Sequence, residues 1–157
     1  MMSKIIDGNE SLMTLINDIL DLSKIESGKT PFKIEKITLE ELIQDIYSSF
    51  QGLMGEKNIN FSLVKKLREE YPFSTDKSKF ILVINNLLSN AYKYTPDNGD
   101  VTWILSTVFK NSNPYLHISV KDSGVGIPKE EIPKVFDRFA SISTHNKIKT
   151  KIQSTGL

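Results

Sequence analysis

The sequence predicts an α+β fold, a two-layer α/β sandwich in which helices cover one face of a mixed sheet. Segments with helical spacing and segments with strand-like alternation of apolar residues are interspersed along the 157 residues. Two neighbouring predicted strands, 101–110 and 115–121, are joined by the short polar segment 111–114, which predicts a hairpin. Interspersed helices combined with an antiparallel hairpin are typical of α+β layers.

The composition is that of a globular protein and excludes several kinds of site. Hydrophobic residues make up 39% and charged residues 25% of the chain, which argues against disorder along its whole length. The 20 basic and 19 acidic residues nearly cancel, so nothing favours binding to nucleic acid or to a membrane surface. Cysteine is absent and there are two histidines, which excludes sites built on cysteine or on clustered histidines. Without a membrane-length apolar run or a signal peptide, the chain is predicted to be cytoplasmic.

The N-terminal segment, 3–27, is predicted to form a helix outside the main domain. Its apolar residues follow a heptad-like rhythm, and Gly28 is a plausible C-cap. The wide apolar stripe and its position ahead of the domain favour a helix of an oligomeric bundle. Packing of this helix on its own domain is the alternative. The predicted boundary separates 1–28 from a domain at 29–157.

The domain is predicted to open with a short half-buried strand at 32–37. Thr38 and Glu41 fit a capping box at the start of a helix that runs to about Gly55. The inward face of this helix would consist of Leu39, Leu42, Ile43, Ile46, Phe50 and Leu53. The elements predicted after it are a strand at 59–67, a helix at 77–94, a turn at 96–99, the hairpin, one or two short helical turns at 128–139 and a flexible loop at 140–157.

The predicted helix at 77–94 has an apolar and a polar face. Its apolar face would consist of Phe80, Ile81, Val83, Ile84, Leu87, Leu88 and Ala91. At about 100° per residue, Asn86, Asn90 and Lys93 lie within roughly 60° of one another. Amides can bind a hard cation through oxygen or donate to phosphate oxygens, and a lysine can bind phosphate as a point charge. A solvated surface is the ordinary alternative for these residue types, and the helix taken alone favours it.

A glycine-containing loop at 122–128 follows the second strand of the hairpin directly. Gly124 and Gly126 allow close backbone approach and positive φ, and Asp122 places an acceptor at the start of the loop. A lone G-x-G is most often a turn. This one lacks the third glycine and the following long helix of a dinucleotide-binding fingerprint, and the chain has no G-x-x-x-x-G-K-[ST] phosphate loop. Any nucleotide would bind in a different mode.

Five segments resemble the motifs of sensor histidine kinases, and they follow one another in the same order as in that family. Residues 86–96 resemble the N box, 122–127 the G1 box, 136–139 the F box and 154–157 the opening of the G2 box. Residues 15–28 resemble the end of the second dimerisation helix. Together these motifs are highly specific and span nearly the whole chain. The resemblance implies the end of a dimerisation helix at 1–28 and, from 29, a catalytic ATP-binding domain with the Bergerat-type fold shared with gyrase, MutL and Hsp90.

The resemblance implies that ATP and Mg²⁺ bind between the N-box helix and a mobile lid at 137–155. By match, Asn90 would hold Mg²⁺, Asn86 and Lys93 would contact phosphates, Tyr94 would flank the base, and Asp122 would accept a hydrogen bond from the adenine amine. The other nucleotide-binding residues implied by the match are Gly124, Gly126, Ile127, Phe139, Thr155, Gly156 and Leu157.

The catalytic residues implied by the resemblance are Asn86, Lys93 and Arg138. Hydrolytic relatives have a glutamate at the position of Asn86. A carboxylate can activate water as a general base and an amide cannot, which favours transfer to a protein over hydrolysis. Arg138 matches an F-box arginine that could contact the γ-phosphate, and a surface ion pair with Glu130 or Glu131 is the alternative.

The family's phosphoacceptor histidine lacks a counterpart in this sequence. His117 lies in a predicted strand and His145 in the predicted lid, so neither has the context of an acceptor. The chain also stops within the G2 box, before another helix and two strands of the family domain. We therefore expect a fragment that does not phosphorylate itself on histidine.

The resemblance also implies partners and leaves two other functions open. The implied partners are a response-regulator receiver domain and a second copy of the parent protein, joined through the dimerisation helices. No nucleic acid is expected, and no direct membrane contact in this segment; whether the parent is anchored in a membrane stays open. The alternatives are a hydrolytic ATPase of the same superfamily and a non-catalytic module that binds no nucleotide.

Overall fold

The computed structural model describes residues 31–68 and 73–136, where helices and strands are interspersed. The elements are β1 (Glu35–Lys36), α1 (Leu39–Gly55), β2 (Asn60–Lys66), β3 (Ser74–Thr75), α2 (Lys77–Tyr94), β4 (Asp100–Lys110), β5 (Asn113–Asp122) and a 3₁₀ helix at Ile132–Lys134. The predicted N-terminal helix, lid and C-terminal loop lie outside the described residues. The short strands β1 and β3 pair antiparallel, and β3 was not predicted.

The main sheet of the described part is mixed, with strand order β2-β4-β5. β2 pairs parallel with β4, with Asn60 opposite Asp100, because α2 returns the chain to the same edge between the two strands. β4 and β5 form the predicted antiparallel hairpin. Its turn residues, Asn111 and Ser112, both have positive φ, as a type I′ hairpin turn requires. The predicted α+β class with a mixed sheet is confirmed.

The hydrophobic core lies between the two helices and one face of this sheet. Val101, Trp103 and Leu105 alternate along β4 and are fully buried, so they share the face that the helices cover. The helices contribute Leu42, Ile43, Ile46, Phe50 and Met54 from α1, and Phe80, Ile84, Leu88 and Ala91 from α2. This packing fixes the C-terminal end of α2 relative to the strands that lead into the site.

Two predicted apolar faces are less buried than the sequence suggested. On α2, Val83 is 54% and Leu87 is 41% exposed, because the helix turns only the narrow stripe of residues 80, 84, 88 and 91 towards the sheet. The predicted half-buried strand at 32–37 is shortened to Glu35–Lys36. Phe32 and Ile34 are exposed, so the predicted burial of this strand is wrong.

The two helices begin differently. The Asp76 carboxylate caps α2 by accepting hydrogen bonds from the Lys79 backbone N–H at 3.1 Å and from the Ser78 hydroxyl at 2.6 Å. The Ser78 bond, and then backbone N–H groups that include those of Lys79 and Lys33, lower the pKa of Asp76 to about 2. Thr38 is the N-cap residue of α1, but its side chain makes no capping hydrogen bond. The capping box predicted for Thr38 is therefore wrong.

Candidate functional site

The polar residues predicted on α2 lie together on its accessible side. Asn86, Asn90 and Lys93 are all exposed, and helical spacing places them opposite the buried stripe. The Lys93 ammonium lies 5.2 Å from the centroid of the Tyr94 ring, a cation–π contact that directs the lysine towards the end of the helix. This surface can donate hydrogen bonds, bind a cation through amide oxygens and attract negative charge.

The second half of the candidate site begins where β5 ends. Asp122 is the last residue of β5, and its Oδ1 accepts a hydrogen bond from the Gly124 backbone N–H at 2.9 Å. A hydrogen bond of this kind, in which an aspartate carboxylate accepts from the backbone N–H two residues on, stabilises a turn. It also fixes the orientation of an exposed carboxylate at the mouth of the loop.

The loop requires glycine at positions 124 and 126 for two different reasons. Gly126 has φ of +69°, which glycine adopts without the strain that a side chain would add. Gly124 lies against the end of α2: a Cβ atom there would stand 2.6 Å from the Tyr94 carbonyl oxygen and 2.6 Å from Asp122 Oδ1. The loop therefore approaches the C-terminal end of α2 closely, a contact that the sequence did not predict.

The loop is also hydrogen-bonded to the start of β4, which follows the turn after α2. The Asp100 backbone N–H donates to Ser123 Oγ at 2.8 Å, and the Ser123 N–H donates to the Asp100 carbonyl at 3.0 Å. A Cβ atom at Gly99 would overlap Thr95 Cγ2. Ser123 and Gly99 were not singled out from the sequence, because their role depends on contacts between segments distant in the chain.

The remaining predicted site residues are placed only in part. Ile127 is 47% exposed, just beyond Gly126. Arg138, Phe139, Thr155, Gly156 and Leu157 lie outside the described residues, as does the predicted lid.

Within 31–68 and 73–136, no group of three or more histidine, aspartate or glutamate side chains could hold a metal ion. In the same ranges no helix is long and apolar enough to cross a membrane.

The family assignment follows from comparison with known proteins. A family model described as histidine kinase-, DNA gyrase B- and HSP90-like ATPase matches residues 75–157, more than half of the chain. The match begins just before α2 and includes both halves of the candidate site. The chain belongs to this ATPase family.

Individual relatives agree with this assignment. Sensor histidine kinase WalK of Bacillus subtilis is 36% identical over 149 residues, which cover 94% of this chain and 23% of WalK. The catalytic domain of histidine kinase ThkA superposes with a TM-score of 0.60 and 27% identity, covering 71% of each chain. ThkA in complex with the response regulator TrrA has a TM-score of 0.69 at 24% identity, covering 86% of this chain and 38% of that one. This chain spans a quarter or less of the length of the first curated relatives it matches.

Proposed function

We propose that this chain is the ATP-binding catalytic region of a sensor histidine kinase, which transfers the γ-phosphoryl group of ATP to a histidine. The observation that carries the proposal is the contact of Gly124 with the Tyr94 carbonyl. This contact brings the Asp122 carboxylate next to the end of the helix that bears Asn86, Asn90 and Lys93. One bound molecule could then engage an acceptor for a base and donors for phosphates.

Asp122 is proposed to recognise adenine. Its Oδ1 already accepts the Gly124 N–H, so Oδ2 is the oxygen we assign to the exocyclic amine of the base. A carboxylate is an acceptor only, so it favours the amino group of adenine over the carbonyl group that guanine carries at that position. The half-buried Tyr94 is proposed to flank the base, and Gly124, Gly126 and Ile127 to line its approach.

The polar face of α2 is proposed to hold the phosphates and Mg²⁺. Asn86 and Lys93 would donate hydrogen bonds to phosphate oxygens, and Asn90 would bind the metal through its amide oxygen. The donor set fits Mg²⁺, which often takes one or two protein oxygens together with phosphate oxygens and water. The described residues offer no acidic cluster that would bind such an ion alone, so we expect it to arrive with the nucleotide. When bound, Mg²⁺ neutralises phosphate charge during phosphoryl transfer.

Transfer to a histidine is favoured over hydrolysis by the side chain at position 86. The Asn86 amide has no basic lone pair with which to take a proton from water, and general-base catalysis of hydrolysis needs one. The acceptor is proposed to lie outside this chain's described surface. His117 sits within β5, opposite Ser106 across the hairpin, and we do not propose it as the acceptor. Alone, this chain is proposed not to phosphorylate itself.

The proposal extends to partners of the whole protein. The structure of ThkA with the response regulator TrrA supports a response-regulator receiver domain as the partner. Residues 1–28 are proposed to belong to a dimerisation helix that joins two copies, and 29–157 to the catalytic domain. The surroundings are proposed to be cytoplasmic, where ATP is available.

Calorimetric titration with ATP, with and without Mg²⁺, tests the proposed site. We expect Mg²⁺-assisted binding to the wild-type chain and weaker binding to GTP. Asp122→Ala should weaken ATP binding about 10- to 100-fold, because a hydrogen bond to a charged group contributes about 1.5–3 kcal/mol. Asp100→Ala is the matched control. It removes a nearby carboxylate whose Oδ1 accepts from the Asn60 side chain at 3.0 Å. Absence of nucleotide binding, or wild-type affinity in Asp122→Ala, would contradict the proposal.

A further inference from the structure

The C-terminal end of α2 is completed by a lysine from another element. In a continuing α-helix the Tyr92 carbonyl would accept from the N–H of residue 96, but Pro96 has none. Lys57, which follows α1, supplies the missing donor. Its Nζ donates to the Tyr92 carbonyl at 3.0 Å and to the Thr95 carbonyl at 3.0 Å. A cation at this end of a helix also stabilises the negative end of its dipole.

Lys57 is itself held in place. Its backbone carbonyl accepts from the Asn98 N–H at 3.0 Å, within the turn after α2. Its Nζ lies 4.8 Å from the centroid of the Tyr92 ring, and the residue is half-buried. The lysine thus joins the end of α1, the last turn of α2 and the following turn through both its backbone and its side chain.

The Tyr94 carbonyl, which lies between the two carbonyls that Lys57 binds, is the one that faces the loop at 122–126. Lys57 fixes residues 92 and 95, and the Tyr94 carbonyl oxygen stands 2.6 Å from where a Cβ atom of Gly124 would be. The position of this carbonyl sets how closely the loop can approach α2. Gly124 in turn orients Asp122 by donating its N–H to Oδ1 at 2.9 Å.

We propose that Lys57 is a positioning residue for the nucleotide site. It fixes the end of α2 against the loop at 122–126, so that the base-recognising carboxylate and the phosphate-facing side chains keep one relative geometry. The inference rests on the proposed function, because it names a residue that acts on that site. Lys57 acts through Tyr94 and Gly124 and is not assigned a contact with nucleotide.

A residue that only stabilises the fold would change unfolding but leave the affinity of folded molecules unchanged. The test therefore compares the dissociation constant for ATP·Mg²⁺ in the full chain, at a temperature where thermal unfolding shows each variant to be folded. Lys57→Met removes the donor and the charge, and Lys57→Arg restores both. Lys79→Met is the matched control, since Lys79 is a half-buried lysine at the opposite end of α2.

We expect Lys57→Met to bind ATP·Mg²⁺ about tenfold more weakly, as when only a tenth of the folded molecules have the competent geometry. Lys57→Arg should bind nearly as the wild type does, and Lys79→Met should be unchanged. The amide NMR signals of Asp122 and Gly124 should shift in Lys57→Met and return in Lys57→Arg.

Wild-type affinity in a folded Lys57→Met variant would overturn the role of Lys57 and leave the nucleotide site standing. If Lys57→Met does not fold, Lys57→Gln, which keeps an N–H donor without the charge, is judged by the same criteria. A wild-type chain that binds no ATP would overturn the nucleotide site itself. In that case the amide signals still test whether Lys57 positions the loop at 122–126. Unchanged Asp122 and Gly124 signals in Lys57→Met would overturn that role as well.

Discussion

The Tyr94 carbonyl oxygen occupies the space in which a side chain at Gly124 would begin, 2.6 Å from the position of a Cβ atom there. The two residues belong to segments separated along the chain by all of β4 and β5. Because the obstructing atom is part of the backbone, no rotation of a side chain can relieve the overlap. The relative position of α2 and the loop after β5 therefore depends on glycine at 124.

Gly124→Ala should destabilise the domain and weaken nucleotide binding together. Overpacking against backbone commonly costs about 1–3 kcal/mol of unfolding free energy, and relief requires α2 and the loop to move apart. Urea unfolding, followed through the fluorescence of the buried Trp103, measures the first effect. Calorimetry with ATP·Mg²⁺ measures the second, for which we expect at least a tenfold loss.

Gly52→Ala is the control for this substitution. Gly52 lies inside α1, and a Cβ atom there meets nothing within 4 Å. Because glycine is less favourable than alanine in a helix interior by about 0.5–1 kcal/mol, Gly52→Ala should be slightly more stable than the wild type and bind ATP equally well. Equal stability and binding in Gly124→Ala would show that the loop does not need its contact with α2.

Two neighbouring leucines of α2 should respond very differently to truncation. Leu88 is 0% exposed and packs in the core, whereas Leu87 is 41% exposed. Leu88→Ala should lower the unfolding free energy by about 2–5 kcal/mol, as buried leucines do. Leu87→Ala should change it by less than about 1 kcal/mol. Urea unfolding of the two variants compares them directly. Similar losses in both would mean that the buried stripe of α2 is as wide as its apolar sequence suggests.

The periodicity of apolar residues predicted most of the helices and strands. It did not predict which apolar residues of a helix are buried. The bounds of α2, 77–94, followed from helical spacing and from the turn at 96–99. The hairpin followed from the polar segment 111–114, although the turn itself is shorter, with positive φ at Asn111 and Ser112 and β5 starting at Asn113. Val83 and Leu87 fit the helical apolar pattern equally well, yet α2 buries only the residues that face β4. Which part of a wide stripe is buried depends on the partner surface, and that surface is set by the tertiary fold.

The sequence motifs identified the polar face of α2 and the loop at 122–126 as the two halves of the candidate site. They did not identify Lys57, which connects the end of α2 to its surroundings. Asn86, Asn90, Lys93 and Asp122 could be found because each belongs to a local pattern. Lys57 is distant from all of them in sequence, and the one local sign of its role is Pro96, which leaves the Tyr92 carbonyl without a helical donor. A missing donor indicates that some group must replace it, and the sequence alone cannot identify which group does so.

Removing the amide of Asn90 should abolish the effect of Mg²⁺ on ATP binding. In Asn90→Ala we expect the affinity for ATP without Mg²⁺ to stay close to that of the wild type, while the gain on adding Mg²⁺ is lost. Ser89→Ala is the control, because Ser89 is the exposed preceding residue and lies on a different side of the helix. Paired titrations with and without Mg²⁺ measure both effects. A full Mg²⁺ response in Asn90→Ala would remove Asn90 from the metal site.

The two helix N-caps should differ in their contribution to stability and in its pH dependence. Asp76 makes capping hydrogen bonds and Thr38 makes none, so Asp76→Ala should lower the melting temperature clearly and Thr38→Ala only slightly. The hydrogen bonds lower the pKa of Asp76 from its ordinary value of 3.8 to about 2, so folding favours its ionised form. This contribution is fully present above pH 3.8 and is lost as the pH falls towards 2. The difference in stability between wild type and Asp76→Ala should therefore be constant from pH 7 to about 5 and shrink between pH 4 and 2. Thermal unfolding across this range measures it, and a difference that persists undiminished at pH 2 would show that the Asp76 charge is not what caps α2.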